Sequence, residues 1–207
     1  MRPRYSFEQF NNHSLSIVEQ SRHKLKSERR EVRKAFQFLL SHFERLDRGE
    51  KTLSKNVKLM LCTRFINHLY ASLLLADRGL VVDAITVGRN AVEVTALYWL
   101  ICKDPGTADL YASGNTPKPV EVRKRLEKAG IDIEELRSTY SLQSGVVHPT
   151  SEYQHLWTDW VAPQEGRLLV GGGFSLERQR ALYKFIPSAI VNFARYDENY
   201  SVEVIEP

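Results

Sequence analysis

From Leu53 onward an apolar side chain returns every four residues, at Val57, Leu61, Phe65, Leu69 and Leu73, until Asp77-Arg78-Gly79 closes the run. That spacing lines up on one face only in a helix, and a helix with one apolar face has to bury it against neighbours. The neighbours are legible on both sides. Upstream, Leu15, Val18, Leu25, Val32, Phe36, Leu39, Leu40, Phe43 and Leu46 recur at helical spacing from about Ser14 to Arg48, with a polar interruption over Ser21 to Arg30 that predicts one long or broken helix. Downstream, the apolar stretch from Val81 to Lys103 ends at Asp104-Pro105-Gly106, where proline cannot continue a helical ladder and glycine admits a turn. Three helices joined by short links predict an antiparallel bundle.

The pattern then weakens. Gly114 to Pro119 separates a short helix from one over Val120 to Ala129 whose surface carries Arg123, Lys124, Arg125 and Lys128. Asp132 can cap a further helix from Ile133 through about Val147, and Pro149 disfavours helical geometry at His148. The period changes at His155 to Val161, where apolar and polar residues alternate; Pro163 to Gly166 is a turn, and Arg167 to Val170 can return as a second strand. Ser175 caps a last helix that turns Leu176, Leu182, Phe185, Ile186, Ile190, Val191 and Phe193 inward. The expected fold is therefore all-α, one helical domain over residues 1–207, with a small β-hairpin near 155–170 inside an insertion over 150–174 and loosely held tails at 1–13 and 201–207.

At 207 residues and 43% hydrophobic, the chain can bury a core of its own. Cys62 and Cys102 lie in apolar helical stretches without CxxC spacing, which fits reduced buried thiols in a cytoplasmic protein. Neither an apolar signal segment nor a run long enough to span a bilayer stands out, so no membrane partner is expected. The net charge of +4 is unevenly spread: Arg22 to Lys34 holds seven Lys or Arg against Glu28 and Glu31, the footing for a solvated basic face or for nucleic-acid contact.

Several motifs fail for lack of context. Gly171-Gly172-Gly173 before a helix is neither a dinucleotide fingerprint nor a phosphate-binding loop, and reads as a flexible joint. The six histidines form no HExxH or cysteine-histidine cluster, so no metal and no cofactor is expected. Trp157, Trp160 and Tyr153 could stack bases or pack the hairpin against the bundle.

Two constellations carry more. Arg89 and Glu93 lie one helical turn apart inside the most apolar helix, sharing a face with Ile85, Ala96 and Leu100. Charges drawn out of water there cost several kcal/mol, on the order of their desolvation penalty, unless paired. Either they form a structural ion pair that sets helix register, or Arg89 holds an anion that Glu93 orients. Arg64 and His68 make a second pair at the same spacing, with Glu93 the candidate acid between the two pairs. His148, at a forced helix end, can exchange protons near neutrality or simply cap carbonyls, and Tyr140 and Ser144, one turn apart, can bind the same ligand or brace the bundle. A small-ligand pocket lined by Arg64, Arg89, Tyr98 and Tyr140 is a further expectation.

A helix with arginine then glutamate four residues on, here Arg89 and Glu93, followed by a helix ending in a Ser-x-x-x-His-Pro-Thr segment, here Ser144 to Thr150, resembles uncharacterised bacterial helical proteins related to the HEPN superfamily. The likeness spans roughly Leu53 to Thr150. It implies a helical bundle, often dimeric, and many members are metal-independent ribonucleases of toxin, phage-defence or CRISPR systems. Their hallmark is an arginine followed by four to six residues and a histidine. Here the matching positions before His148 are Ser141, Leu142 and Gln143, Arg137 lies too far upstream, and Arg64-x-x-x-His68 is one residue short. What the resemblance implies is RNA as partner, a homodimer, His148 as acid or base, and Arg89 or Arg64 stabilising the phosphorane. The competing expectation is a non-catalytic module that dimerises or binds a protein partner and uses Arg89 and Glu93 only structurally.

Overall fold

The computed structural model of the chain describes residues 6–147, 158–160, 166–168 and 175–197. Its body is all-helical, in the order α1 (Phe7–Lys24), α2 (Lys26–Asp47), α3 (Leu53–Asp77), α4 (Val81–Lys103), α5 (Thr107–Ala112), α6 (Pro119–Lys128), α7 (Glu134–Val147) and α8 (Leu176–Ala194).

The helix expected over Ser14 to Arg48 is broken at one residue. Leu25 leaves helical geometry at φ −117° and ψ 36°, yet it is fully buried and its backbone still links the two helices, donating to Ser21 O at 3.0 Å and accepting from Arg29 N at 2.9 Å. The tail expected over residues 1–13 needs correction from Phe7 on. Ser6 Oγ accepts from Gln9 N at 3.1 Å while Gln9 Oε1 accepts from Ser6 N at 2.9 Å, a reciprocal capping box that starts α1 ahead of Leu15, where the apolar stripe begins. Residues 201–207 lie outside the described residues.

α3 and α4 form the central antiparallel pair. Gly79 takes φ +77°, and Leu80 N donates back to Leu75 O at 2.9 Å, so the chain reverses within the few residues that Asp77-Arg78-Gly79 marks. α3 is long and apolar enough to cross a membrane, but Val57, Leu61, Phe65 and Leu69 are buried in the protein core. The core is completed by α8, whose Phe193 ring stacks 4.1 Å from Phe65 and 4.2 Å from Tyr98, and by Trp99 Nε1, which donates to Asn192 O at 2.9 Å. Burying each such side chain stabilises the fold by about 1.5–3 kcal/mol. α7 packs on α4, and Asp132 Oδ1 caps its start by accepting from Glu134 N at 2.9 Å.

Beyond the helices, β1 (Thr158–Trp160) and β2 (Gly166–Leu168) pair antiparallel, with Thr158 opposite Leu168 and Trp160 opposite Gly166. The residues that join and flank them within the expected 150–174 insertion, Tyr153, Trp157 and Gly171 to Gly173 included, lie outside the described residues.

Candidate functional site

A cleft of about 340 Å³ opens where α3 and α4 meet the shorter helices α5, α6 and α7. α3 contributes Arg64 and His68, α4 Asn90 and Glu93, α5 Tyr111, α6 Arg123 and α7 Tyr140, over a floor that includes Leu61, Val92 and Leu97. Each is placed by ordinary helix periodicity. Arg64 and His68 lie one turn apart beside the buried Leu61, Phe65 and Leu69 stripe, while Pro119 starts α6 and Arg123 follows in its second turn.

The wall from α4 to α6 is a chain of cation and ring. Arg89 Nη2 donates to Tyr140 Oη, and its guanidinium carbon sits 4.5 Å from the centre of the Tyr140 ring. Arg123 lies 4.7 Å from the same ring centre. Glu93 reaches Arg89 at 3.6 Å, with 22% of the Arg89 side chain and 33% of the Glu93 side chain exposed. The expectation that this pair is withdrawn from water holds only in part: both side chains keep some exposure beside the cleft, and a contact of that length is weakened by solvent screening. Across the cleft Arg64 Nη1 donates to Tyr111 Oη at 3.3 Å. Among the described residues, neither Arg64 nor Arg123 has a carboxylate within ion-pairing distance.

Electrostatics follow from that arrangement. Two guanidiniums on one ring gain cation–π attraction and repel one another, which favours an anion between the walls. Burial, with Arg64 adding to it, holds the His68 imidazole below its ordinary pKa, so it is neutral at pH 7 and able to accept a proton.

Arg64, His68, Glu93 and Tyr140 thus share one cleft, and Arg89 joins it through Tyr140 and Glu93. Ser144 does not line it. Its buried hydroxyl has no hydrogen-bond partner among the described residues, and neither do Arg89 Nε and Gln143 Oε1. His148 lies outside the described residues. Tyr98 is corrected: it belongs to a separate buried knot, where its hydroxyl donates to Asp197 Oδ2 and lies 3.1 Å from His42 Nε2, while Lys58 Nζ reaches Asp197 Oδ2 at 3.4 Å. Since the tyrosine proton is committed to Asp197, the neutral His42 ring carries its proton on Nε2 and donates to Tyr98.

The sequence reading missed Tyr111, Asn90 and the His42–Asp197 knot, for which no motif exists; Arg123 was visible only as one of four basic residues on a short helix. Among the described residues no group of three or more His, Cys, Asp or Glu side chains could hold a metal ion. No family model, curated protein or solved structure matches the chain.

Proposed function

We propose that the chain is a HEPN-like bundle that binds RNA in the cleft of Arg64, His68 and Arg123, and that it cleaves the bound strand without a metal. The observation that carries this reading is the convergence of two arginines without carboxylate partners among the described residues and one neutral imidazole on a single cleft. Arginine suits phosphate because its planar fork donates two parallel hydrogen bonds. Tyr111 and Tyr140 add ring faces on which an unstacked base can rest.

In the reaction the 2′-hydroxyl attacks the neighbouring phosphorus as His68 takes its proton. The new 2′-O–P bond forms, the P–O5′ bond breaks, and a proton from solvent or from His148 completes the leaving hydroxyl. Arg64 and Arg123 offset the charge that develops on the phosphorane oxygens. Arg89, expected to hold an anion or stabilise the phosphorane, instead holds Tyr140 by its hydroxyl and ring, and Glu93, expected to orient that anion, pairs with Arg89. A toxin or phage-defence role is what the HEPN-like reading implies.

The test uses labelled single-stranded RNA in EDTA over a range of salt. Arg64→Ala with Arg123→Ala is expected to weaken binding and to flatten the salt dependence by roughly 1 to 2 in slope. His68→Ala is expected to keep binding and lose cleavage by about 100-fold or more. An absence of binding by the wild-type protein removes the reading; binding with no cleavage removes the catalytic half.

A second reading has one observation in its favour. Arg89 spends its contacts on Tyr140 and Glu93, joining α4 to α7, as a bracing residue in a non-catalytic interaction module would.

A further inference from the structure

One side chain in the cleft runs against the charge of the rest. Glu93 is the single acid among the described residues that line it, in company with Arg64 and Arg123, and a carboxylate beside a phosphate site repels the phosphate. Arg89, the cation it pairs with, stands 3.6 Å away and donates to Tyr140 instead. The Glu93 carboxylate therefore accepts no side-chain hydrogen bond among the described residues, although an ionised carboxylate has about four acceptor sites. Asn90 lines the same cleft three positions earlier, is exposed, and its amide likewise has no hydrogen-bond partner among the described residues.

Residues three apart on a helix are surface neighbours with Cβ atoms about 5–6 Å apart, so the two groups form one polar strip on α4. An amide beside a carboxylate offers a donor followed by two acceptors. The Watson–Crick edge of guanine is the complement: the O6 acceptor, then the N1–H and N2–H donors. Uracil sets its one donor between two carbonyl oxygens that a carboxylate repels. Adenine and cytosine each put a ring-nitrogen lone pair beside their amino group, so a carboxylate that accepts from the amino group meets that lone pair. Bases splayed out of a single strand are read on this edge.

We infer that Asn90 and Glu93 read a guanine base, so that the cleft selects guanosine in single-stranded RNA; this rests on the RNA-binding reading and adds the base preference that reading leaves open. The Asn90 amide donates to O6, and the Glu93 carboxylate accepts from N1–H and N2–H. Arg64 and Arg123 hold the phosphate, and Tyr111 gives the base a face to rest on. With guanine in place, the acid that would weaken a bare phosphate site becomes the group that chooses its ligand. A cleft of about 340 Å³ lies at the small end of ligand pockets, which suits one nucleotide of a strand.

The experiment measures binding of short labelled uridine strands that differ only at a central position, which is guanosine, inosine, adenosine, cytidine or uridine. The guanosine strand is expected to bind about tenfold or more tightly than the adenosine, cytidine and uridine strands. Inosine, which keeps O6 and N1–H but lacks the 2-amino group, should fall between. Glu93→Gln is expected to remove the preference for guanosine over adenosine, because its amide presents one acceptor and one donor, the complement of adenine. Asn90→Ala, at an exposed position, should reduce the preference by about threefold or more. Arg64→Ala should weaken all the strands alike and leave their ratio unchanged. Equal binding of all strands, a preference for another base, or variants of Glu93 and Asn90 that keep the wild-type ratio would overturn the guanine assignment while RNA binding stands. Failure of the wild-type protein to bind any strand would overturn both. A folding defect lowers binding of every strand together, so a changed ratio at retained binding is the outcome it cannot produce.

Discussion

Tyr98 Oη donates to Asp197 Oδ2, tying the C-terminal part of α4 to a residue 99 positions later, just beyond α8. The Asp197 side chain is fully buried, and Lys58 from α3 and His42 from α2 complete the knot, so four helical segments depend on one carboxylate. A buried ion pair adds little net stability over an apolar replacement of the same shape, but removing one member strands the others.

Asp197→Ala is therefore expected to cost about 3–5 kcal/mol, because Lys58 and Tyr98 lose their acceptor together. Tyr98→Phe removes one hydrogen bond and leaves the carboxylate partly served by Lys58, for about 1–3 kcal/mol. Urea unfolding measures both, and a loss below about 1 kcal/mol for Asp197→Ala would show the knot to be incidental.

Stability should also fall on the acid side of neutrality. Burial holds His42 below its ordinary pKa; Asp197 opposes that shift, and Arg45 and Lys58 add to it. The unfolded chain then takes up a proton at a higher pH than the folded one, so stability is complete above about pH 6.5 and declines as pH drops below it. His68 is lowered in the same direction by burial and Arg64. His42→Gln should flatten the decline between pH 6.5 and 5; identical pH slopes for variant and wild type would assign the acid sensitivity elsewhere.

Glu93→Gln should change stability by less than about 1 kcal/mol, since its contact with Arg89 is long and screened. Tyr140→Leu keeps apolar bulk but loses the hydroxyl and both cation–π contacts, for about 1–3 kcal/mol in thermal or urea unfolding. The reverse ranking would return Arg89 and Glu93 to the role of a buried register pair.

Gly88 sits mid-helix in α4, where glycine costs about 1 kcal/mol against alanine. A methyl group there would meet Ser72 Oγ at 3.5 Å and Phe185 Cε1 at 3.7 Å, ordinary contact distances. Gly88→Ala should fold normally and gain up to about 1 kcal/mol. A destabilised variant would mean that α4 and α8 cannot accommodate even that volume.

The apolar repeat from Leu53 to Leu73, the stop at Asp77-Arg78-Gly79 and the span from Val81 to Lys103 matched α3, the reversal and α4, because helix periodicity and turn chemistry are local properties of a few neighbouring residues. The start of α1 is equally local, in Ser6 and Gln9, but it lies ahead of the apolar stripe that marks the helix in the sequence. Arg64 and His68 could be paired, and Arg89 with Glu93, because each pair shares one helix face. What only the tertiary structure decided is which faces meet. Whether Arg89 is buried depends on α7 and α6 bringing Tyr140 and Arg123 beside it, and Tyr98 left the proposed pocket because Asp197 and His42 converge on it from distant parts of the chain. The residue types along a helix settle which groups it can offer; the packing of one helix on another settles their solvation, charge and partners.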